Sequence, residues 1–264
     1  MFRREFSVIV TALALTACSA PVPKFQSAVP DAGKSTYAMA SAPALATTSS
    51  TIQHLDNDKT IVYQQNYGGG GAGLGLLLGP IGVAANASMI ESMTKSDAEK
   101  MREKILVKPR NVFESAARKK GVQLDNVTDA KITPYLYVSK TENDRLLVAS
   151  AMIVEQAAWS GKYMYQLPVT YSVDELAGLD GNATVQLQNA VEGGFEALLQ
   201  QMQAESAASE ASEKPITFKS DFVTPRFGFD MYGSLVGTDN DVVWVRTVGA
   251  VYGLRKSNVS YSPR

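Results

Sequence analysis

Residues 131–171 read KITPYLYVSKTENDRLLVASAMIVEQAAWSGKYMYQLPVTY, and their period decides the fold class. Ile132, Leu136 and Val138 alternate with Tyr135 and Tyr137, the two-residue repeat of a strand with two distinct faces. Thr141 to Asp144 carries turn residues. Leu146 to Val154 is apolar on both faces, as in a strand at the centre of a sheet. Trp159 to Lys162 reads as a second turn around Gly161. Tyr163, Tyr165, Leu167, Val169 and Tyr171 then alternate again. Three strands on short links predict an antiparallel meander.

A half-buried meander needs a cover, and the segment from Ala183 to Ala204 supplies it. Leu187, Val191, Phe195, Leu198, Leu199 and Met202 recur every three or four residues, opposite Gln188, Glu192, Glu196 and Gln200. Gly193-Gly194 weakens this helix by about 1 kcal/mol per glycine relative to alanine, a cost that admits a close neighbour. Upstream, Ser96 to Glu99 reads as a capping box opening a helix to about Leu106. Arg110 to Lys120 is a further helix stopped by Gly121. Lys59 to Gln65 is a first strand. Downstream, the polar stretch 205–214 precedes short strands around Phe227, Phe229, Val242 to Thr247 and Val251 to Leu254, with a hairpin turn at Gly237 to Asp241. These suggest a small SH3-like barrel or an extension of the main sheet. The fold class is therefore α+β, an antiparallel meander covered by helices with a small C-terminal β module.

The glycine cluster YGGGGAGLGLLLGPIGVAANA, residues 67–87, stands apart. Gly71, Gly75 and Gly79 lie four apart, which on a helix makes one glycine face. That spacing resembles the glycine zippers of several outer-membrane lipoprotein families. Against it, Pro80 breaks a helix interior and suits a first turn. Three readings stay open: a loop leading into an apolar helix from about Pro80, a segment contacting lipid or a partner, and a ligand-cradling loop. A phosphate loop is excluded by the absence of G-x-x-x-x-G-K-[ST].

The N-terminus, MFRREFSVIVTALALTACS, has a basic head at Arg3 and Arg4 and an apolar run from Phe6 to Ala17. That run is too short to span a membrane, which takes about 20 apolar residues. It ends in Leu15, Thr16, Ala17 and Cys18, the one cysteine of the chain. This resembles the lipobox of bacterial lipoproteins. The resemblance implies cleavage before Cys18, covalent diacylglycerol and an N-acyl chain on Cys18 (a palmitate-type membrane anchor), and no other cofactor. Ser19 is not the aspartate that retains such proteins at the inner membrane, which implies the periplasmic face of an outer membrane. The chain then divides into a signal peptide (1–17), a lipidated N-terminus with a flexible Ala/Ser/Thr/Pro tether (18–50), the α+β main domain (51–204), a linker (205–214) and the β module (215–264).

Composition narrows the function. The formal charge of −1 gives no electrostatic reason for a nucleic-acid partner. With Cys18 committed to lipid, no intrachain disulfide forms, and zinc has too few ligands. His54, the single histidine, sits beside the tether and is a poor candidate base. Asp56 to Asp58 resembles a fragment of a calcium loop but reads as a turn. Asp174 and Glu175 read as a helix start rather than a catalytic pair. Arg246, Arg255 and Lys256 suggest a solvated basic patch. Tyr135, Tyr137, Tyr163 and Tyr165 are candidates for a ligand groove. The reading is a non-enzymatic envelope scaffold or assembly factor with a protein partner. The alternative is a lipoprotein that binds peptidoglycan, another glycan or a peptide.

Overall fold

The meander sits at the centre of the molecule. The structure, a computed structural model, describes residues 25–30, 36–40, 52–65, 79–141, 143–224 and 230–264, with the backbone alone over 79–87. The lipobox residues Leu15, Thr16, Ala17 and Cys18, and Gly71 and Gly75, lie outside the described residues. In chain order the strands are β1 (Thr36–Met39), β2 (Ile52–His54), β3 (Ile61–Gln65), β4 (Gln123–Leu124), β5 (Lys131–Lys140), β6 (Leu146–Gln156), β7 (Trp159–Tyr171), β8 (Lys214–Ser220), β9 (Met231–Asp239), β10 (Val242–Arg246), β11 (Val251–Arg255) and β12 (Val259–Pro263). The helices are α1 (Gly79–Met101), α2 (Pro109–Lys119), α3 (Val173–Ala177), α4 (Gly181–Ala204) and α5 (Ala207–Ala211).

All twelve strands join one mixed sheet, ordered β12-β8-β9-β10-β11-β7-β6-β5-β1-β4, with β3 also on β5 and β2 on β3. The C-terminal strands enter through β11, which runs parallel to β7 with Val251 opposite Tyr163. The sheet is open, so of the two forms expected for the C-terminal strands the SH3-like barrel is excluded and the extension of the main sheet is the one found. Five strands with buried Val243, Val245, Phe218 and Leu254 gain more by extending an existing core than by closing a small one.

One face is covered by helices. Even-numbered residues of β6 (Leu146, Val148, Met152, Val154) share a core with Phe113 of α2 and with Leu187, Val191, Phe195 and Leu198 of α4. Phe113 and Phe195 meet edge to face at 5.3 Å between ring centroids. Gly194 lies directly on β6: a methyl there would overlap Ser150 Oγ, which donates to the Val191 carbonyl at 2.8 Å. Gly193, one residue away, is open.

Odd-numbered residues of β6 face the other way, with Tyr135, Met164, Phe218, Phe222 and Leu254. That face is concave. Six strand steps separate β8 from β5, about 29 Å in a flat sheet. Yet Phe222, two residues past β8, lies 5.7 Å from the Tyr137 ring of β5. Only a strongly curled sheet brings them together.

Three local expectations are corrected. The predicted turn at Trp159–Lys162 is strand: the chain reverses at Ala157-Ala158, with Ala157 at φ 51°, and Gln156 pairs with Trp159. The capping box at Ser96 starts nothing, because α1 runs unbroken to Met101 and Asp97 turns inward to pair with Lys140 at 2.7 Å. The tether is not uniformly loose. Thr36–Met39 is β1, paired to β4 and β5 with Tyr37 fully buried, and Val29 is buried as well. α1 opens at Gly79 with Pro80 in its first turn, where a missing N–H costs nothing. Gly121, at φ +70°, follows α2 at the expected stop.

Candidate functional site

The curl leaves a cavity of about 340 Å³ on the concave face. Its walls include Gln64 from β3, Tyr135 and Tyr137 from β5, Lys162 from β7, Phe222 and Tyr252 from β11. The pairing that places them is simple. Tyr135 stands opposite Ala151, and Ala151 opposite Met164, so all three point the same way. Lys162 stands opposite Ile153, on the same face at one end of the strand. Small Ala149 and Ala151 on β6 leave the hollow between the tyrosines of β5 and the residues of β7.

The aromatic rings hold one another. Phe222 meets Tyr137 at 5.7 Å and 81°, and Tyr252 at 6.3 Å and 78°. The Tyr137 hydroxyl donates to Gln64 Oε1 at 2.7 Å. Burial pushes Tyr135 and Tyr137 well above the ordinary phenol value and Tyr252 up to about 12. All three are neutral at physiological pH and present hydroxyls rather than phenolates. Lys162 is different. Burial lowers its ammonium, and among the described residues no carboxylate, carbonyl or hydroxyl bonds its Nζ. Among the described residues, the cavity therefore carries a part-desolvated cation without a bonded counter-charge, beside aromatic and apolar walls.

The four-tyrosine groove read from the sequence is corrected by the pleat. Tyr135 and Tyr137 line the cavity, whereas Tyr163 and Tyr165 point to the helix-covered face. Tyr163 stands opposite Met152 and Tyr165 opposite Ser150, both on the face under α4. Tyr165 packs on Trp244 at 5.8 Å beneath the Arg255 guanidinium at 5.2 Å, with Gly253 leaving room for the two rings. Equal alternation in β5 and β7 concealed that the two strands pair with odd and even positions in opposition.

Arg246 is likewise corrected, from a solvated patch to a buried centre. Its side chain and that of Glu205 are each 1% exposed, and its Nη2 bonds Glu205 Oε1 and Glu213 Oε1 at 2.9 Å. Nε bonds both Glu213 oxygens at 3.0 Å. The Tyr163 hydroxyl donates to Glu205 Oε2 at 2.8 Å. Burial works to lower the guanidinium's pKa, but the Glu213 hydrogen bonds and the two carboxylate charges outweigh it and hold the group protonated. Burial pushes Glu213 above the ordinary carboxyl value, with the Arg246 bonds pulling back. Nothing in the local sequence marks this cluster, since its members come from the end of α4, the stretch before β8 and the end of β10.

The remaining candidates are structural. Asp56 accepts from Thr60 N, Thr60 Oγ1 and Ile61 N, so both of its oxygens are engaged in closing a turn. Glu175 forms a capping box with Ser172 and pairs with Arg145. His54 lies on β2, its pKa lowered by burial. Among the described residues no group of three or more His, Cys, Asp or Glu could hold a metal ion. No described helix is long and apolar enough to cross a membrane. Comparison with protein-family models, with curated proteins and with solved structures finds no match for this chain.

Proposed function

We propose that this chain is a lipoprotein of a Gram-negative outer membrane, acylated at Cys18 on the periplasmic face, acting as a non-enzymatic envelope scaffold or assembly factor. Its contact site is the concave cavity, and its partner is an envelope protein that seats an apolar side chain beside a carboxylate there. The anchoring reading rests on the lipobox resemblance, and one observation carries the contact site: a part-desolvated Lys162 with no counter-charge among the described residues, beside neutral tyrosines in about 340 Å³. A part-desolvated ammonium is less favourable in the free protein than in water, and a carboxylate supplied by a partner offsets that penalty. The volume lies at the low end of the roughly 300–1,000 Å³ typical of ligand pockets. It suits one or two side chains better than an extended glycan. Phe222 already occupies the approaches to Tyr137 and Tyr252, which leaves a sugar little ring face to stack on.

A short peptide with a terminal carboxylate is the second reading, favoured by the same lysine. The test is a photoreactive residue at Val223, on the cavity wall, with one at exposed Val185 of α4 as reference. In intact cells, a discrete protein adduct from Val223 alone supports the scaffold. Binding of peptidoglycan stem peptide by purified protein, without a protein adduct, supports the second reading. Adducts from Val185 and none from Val223 would move the contact site away from the cavity.

A further inference from the structure

The N-terminal segment is tied to the body within a few residues of the lipobox. Gln26 N donates to the Thr247 carbonyl at 2.8 Å, and Gln26 Oε1 accepts from Lys162 N at 2.8 Å. The Gln26 carbonyl accepts from Arg246 Nη1 at 3.2 Å, and Ser27 Oγ accepts from the Trp159 indole at 3.1 Å. Ala28 N and Val29 N donate to Glu210 and Glu205. The buried Arg246 cluster thus works as a cleat for residues 26–29. Gly161 makes room for it: a methyl there would overlap the Trp159 ring and crowd Gln26 Nε2.

The point of attachment defines one end of the sheet. The turns at Ala157-Ala158 and Thr247–Ala250 both lie there, because β11 runs parallel to β7 from Val251 opposite Tyr163. The tip residue Val248 is 60% exposed. Val127, 88% exposed, is in the loop that enters β5 at Lys131, opposite Glu155 at the same end. The opposite end carries the turns around Asn143 and Asn240. β6 alone separates the two ends by about 36 Å.

From these facts we infer that the end of the sheet carrying Val248, Trp159 and Val127 is an interaction surface for the lipid bilayer. The inference rests on lipidation at Cys18. Gln26 lies eight positions after Cys18, and eight residues fully extended reach at most about 29 Å. The body cannot stand farther off the membrane than that reach, and the leash joins it at the end that carries exposed Val248 and half-covered Trp159. Two exposed valines and a half-covered indole are the residue types that enter the interfacial region of a bilayer.

Cys18 is the one cysteine, so a second can be introduced and labelled in the acylated protein. A bimane label at Val248→Cys is compared with one at Asn143→Cys, both on full-length protein in phosphatidylethanolamine/phosphatidylglycerol vesicles with quencher-bearing lipid. The Val248 label should be quenched several-fold more strongly. An insertion of about twenty Gly/Ser residues after Ala20 should abolish the difference, since such a linker is a flexible coil. Equal quenching on vesicles that carry the protein through flotation overturns the apposed end while leaving the anchor intact. An undiminished contrast in the spacer variant overturns the leash as its cause. Wild-type protein that fails to float, like Cys18→Ser, removes the anchor and the inference with it.

Discussion

Under the helices, Arg246 meets two carboxylates and a backbone carbonyl, and Glu205 in turn accepts from Tyr163. Across the same sheet, Lys162 meets no counter-charge among the described residues and shares a cavity wall with tyrosine, methionine and phenylalanine. Both are buried or part-buried cations, and they sit on strands of one sheet. The first is a completed network, and such networks hold distant segments in one arrangement. The second has no counter-charge among the described residues, which is the reason the contact site is proposed there. Burial of charge alone does not identify a site, since Arg246 is the more buried of the two and its network is complete.

Breaking the completed side should have the largest effect. Arg246→Ala leaves two buried carboxylates without a counter-ion and should lower stability by about 3–5 kcal/mol, read by urea denaturation. It should also release residues 26–29, seen as faster amide exchange at Ala28 and Val29. Gly194→Ala should cost about 1–3 kcal/mol, because its methyl would collide with Ser150 Oγ in a well-packed interface. Gly193→Ala, on the exposed side of the same helix, should instead stabilise by up to about 1 kcal/mol. Opposite signs at adjacent glycines would show that the helix-covered face is set by close approach at one position. On the concave face, Tyr137→Phe removes one hydrogen bond to Gln64 and should cost about 1 kcal/mol.

The smallest effect is one of pH. Between the lowered value of Lys162 in the folded protein and its ordinary 10.5, the unfolded chain binds a proton that the folded chain does not. Stability therefore rises with pH across that window, and the penalty is in full force below it. Lys162→Met should flatten the rise, read as the slope of the melting temperature between mildly alkaline pH and pH 10.

The meander, its central strand and the α4 stripe were legible because their periods are long and uninterrupted. Leu146 to Val154 is apolar at every position but Ser150, and Ser150 is where α4 comes closest. Gly194 was legible as a close approach and Gly193 was not distinguishable from it. The curl was illegible, since it depends on a contact between Phe222 and Tyr137, eighty-five positions apart. For the same reason two of the cavity's tyrosines were found and Tyr252, Lys162 and Met164 were missed. The division of Tyr135 and Tyr137 from Tyr163 and Tyr165 needs the register of β6 between them, and a one-residue change in register reverses a strand's faces. Arg246 read as solvated because its two carboxylates are 33 and 41 positions away.

As proposed, Lys162 serves a partner rather than the fold. Lys162→Met in the full-length protein, carrying the photoreactive residue at Val223, separates the two roles in one preparation. Thermal unfolding and adduct yield in intact cells are measured side by side. In a domain of this size each 1 kcal/mol of stability moves the melting temperature by about 2–4 °C. The account predicts a melting temperature at or above that of the parent together with loss of the Val223 adduct. A melting temperature well below the parent, or an adduct formed in undiminished yield, would contradict it.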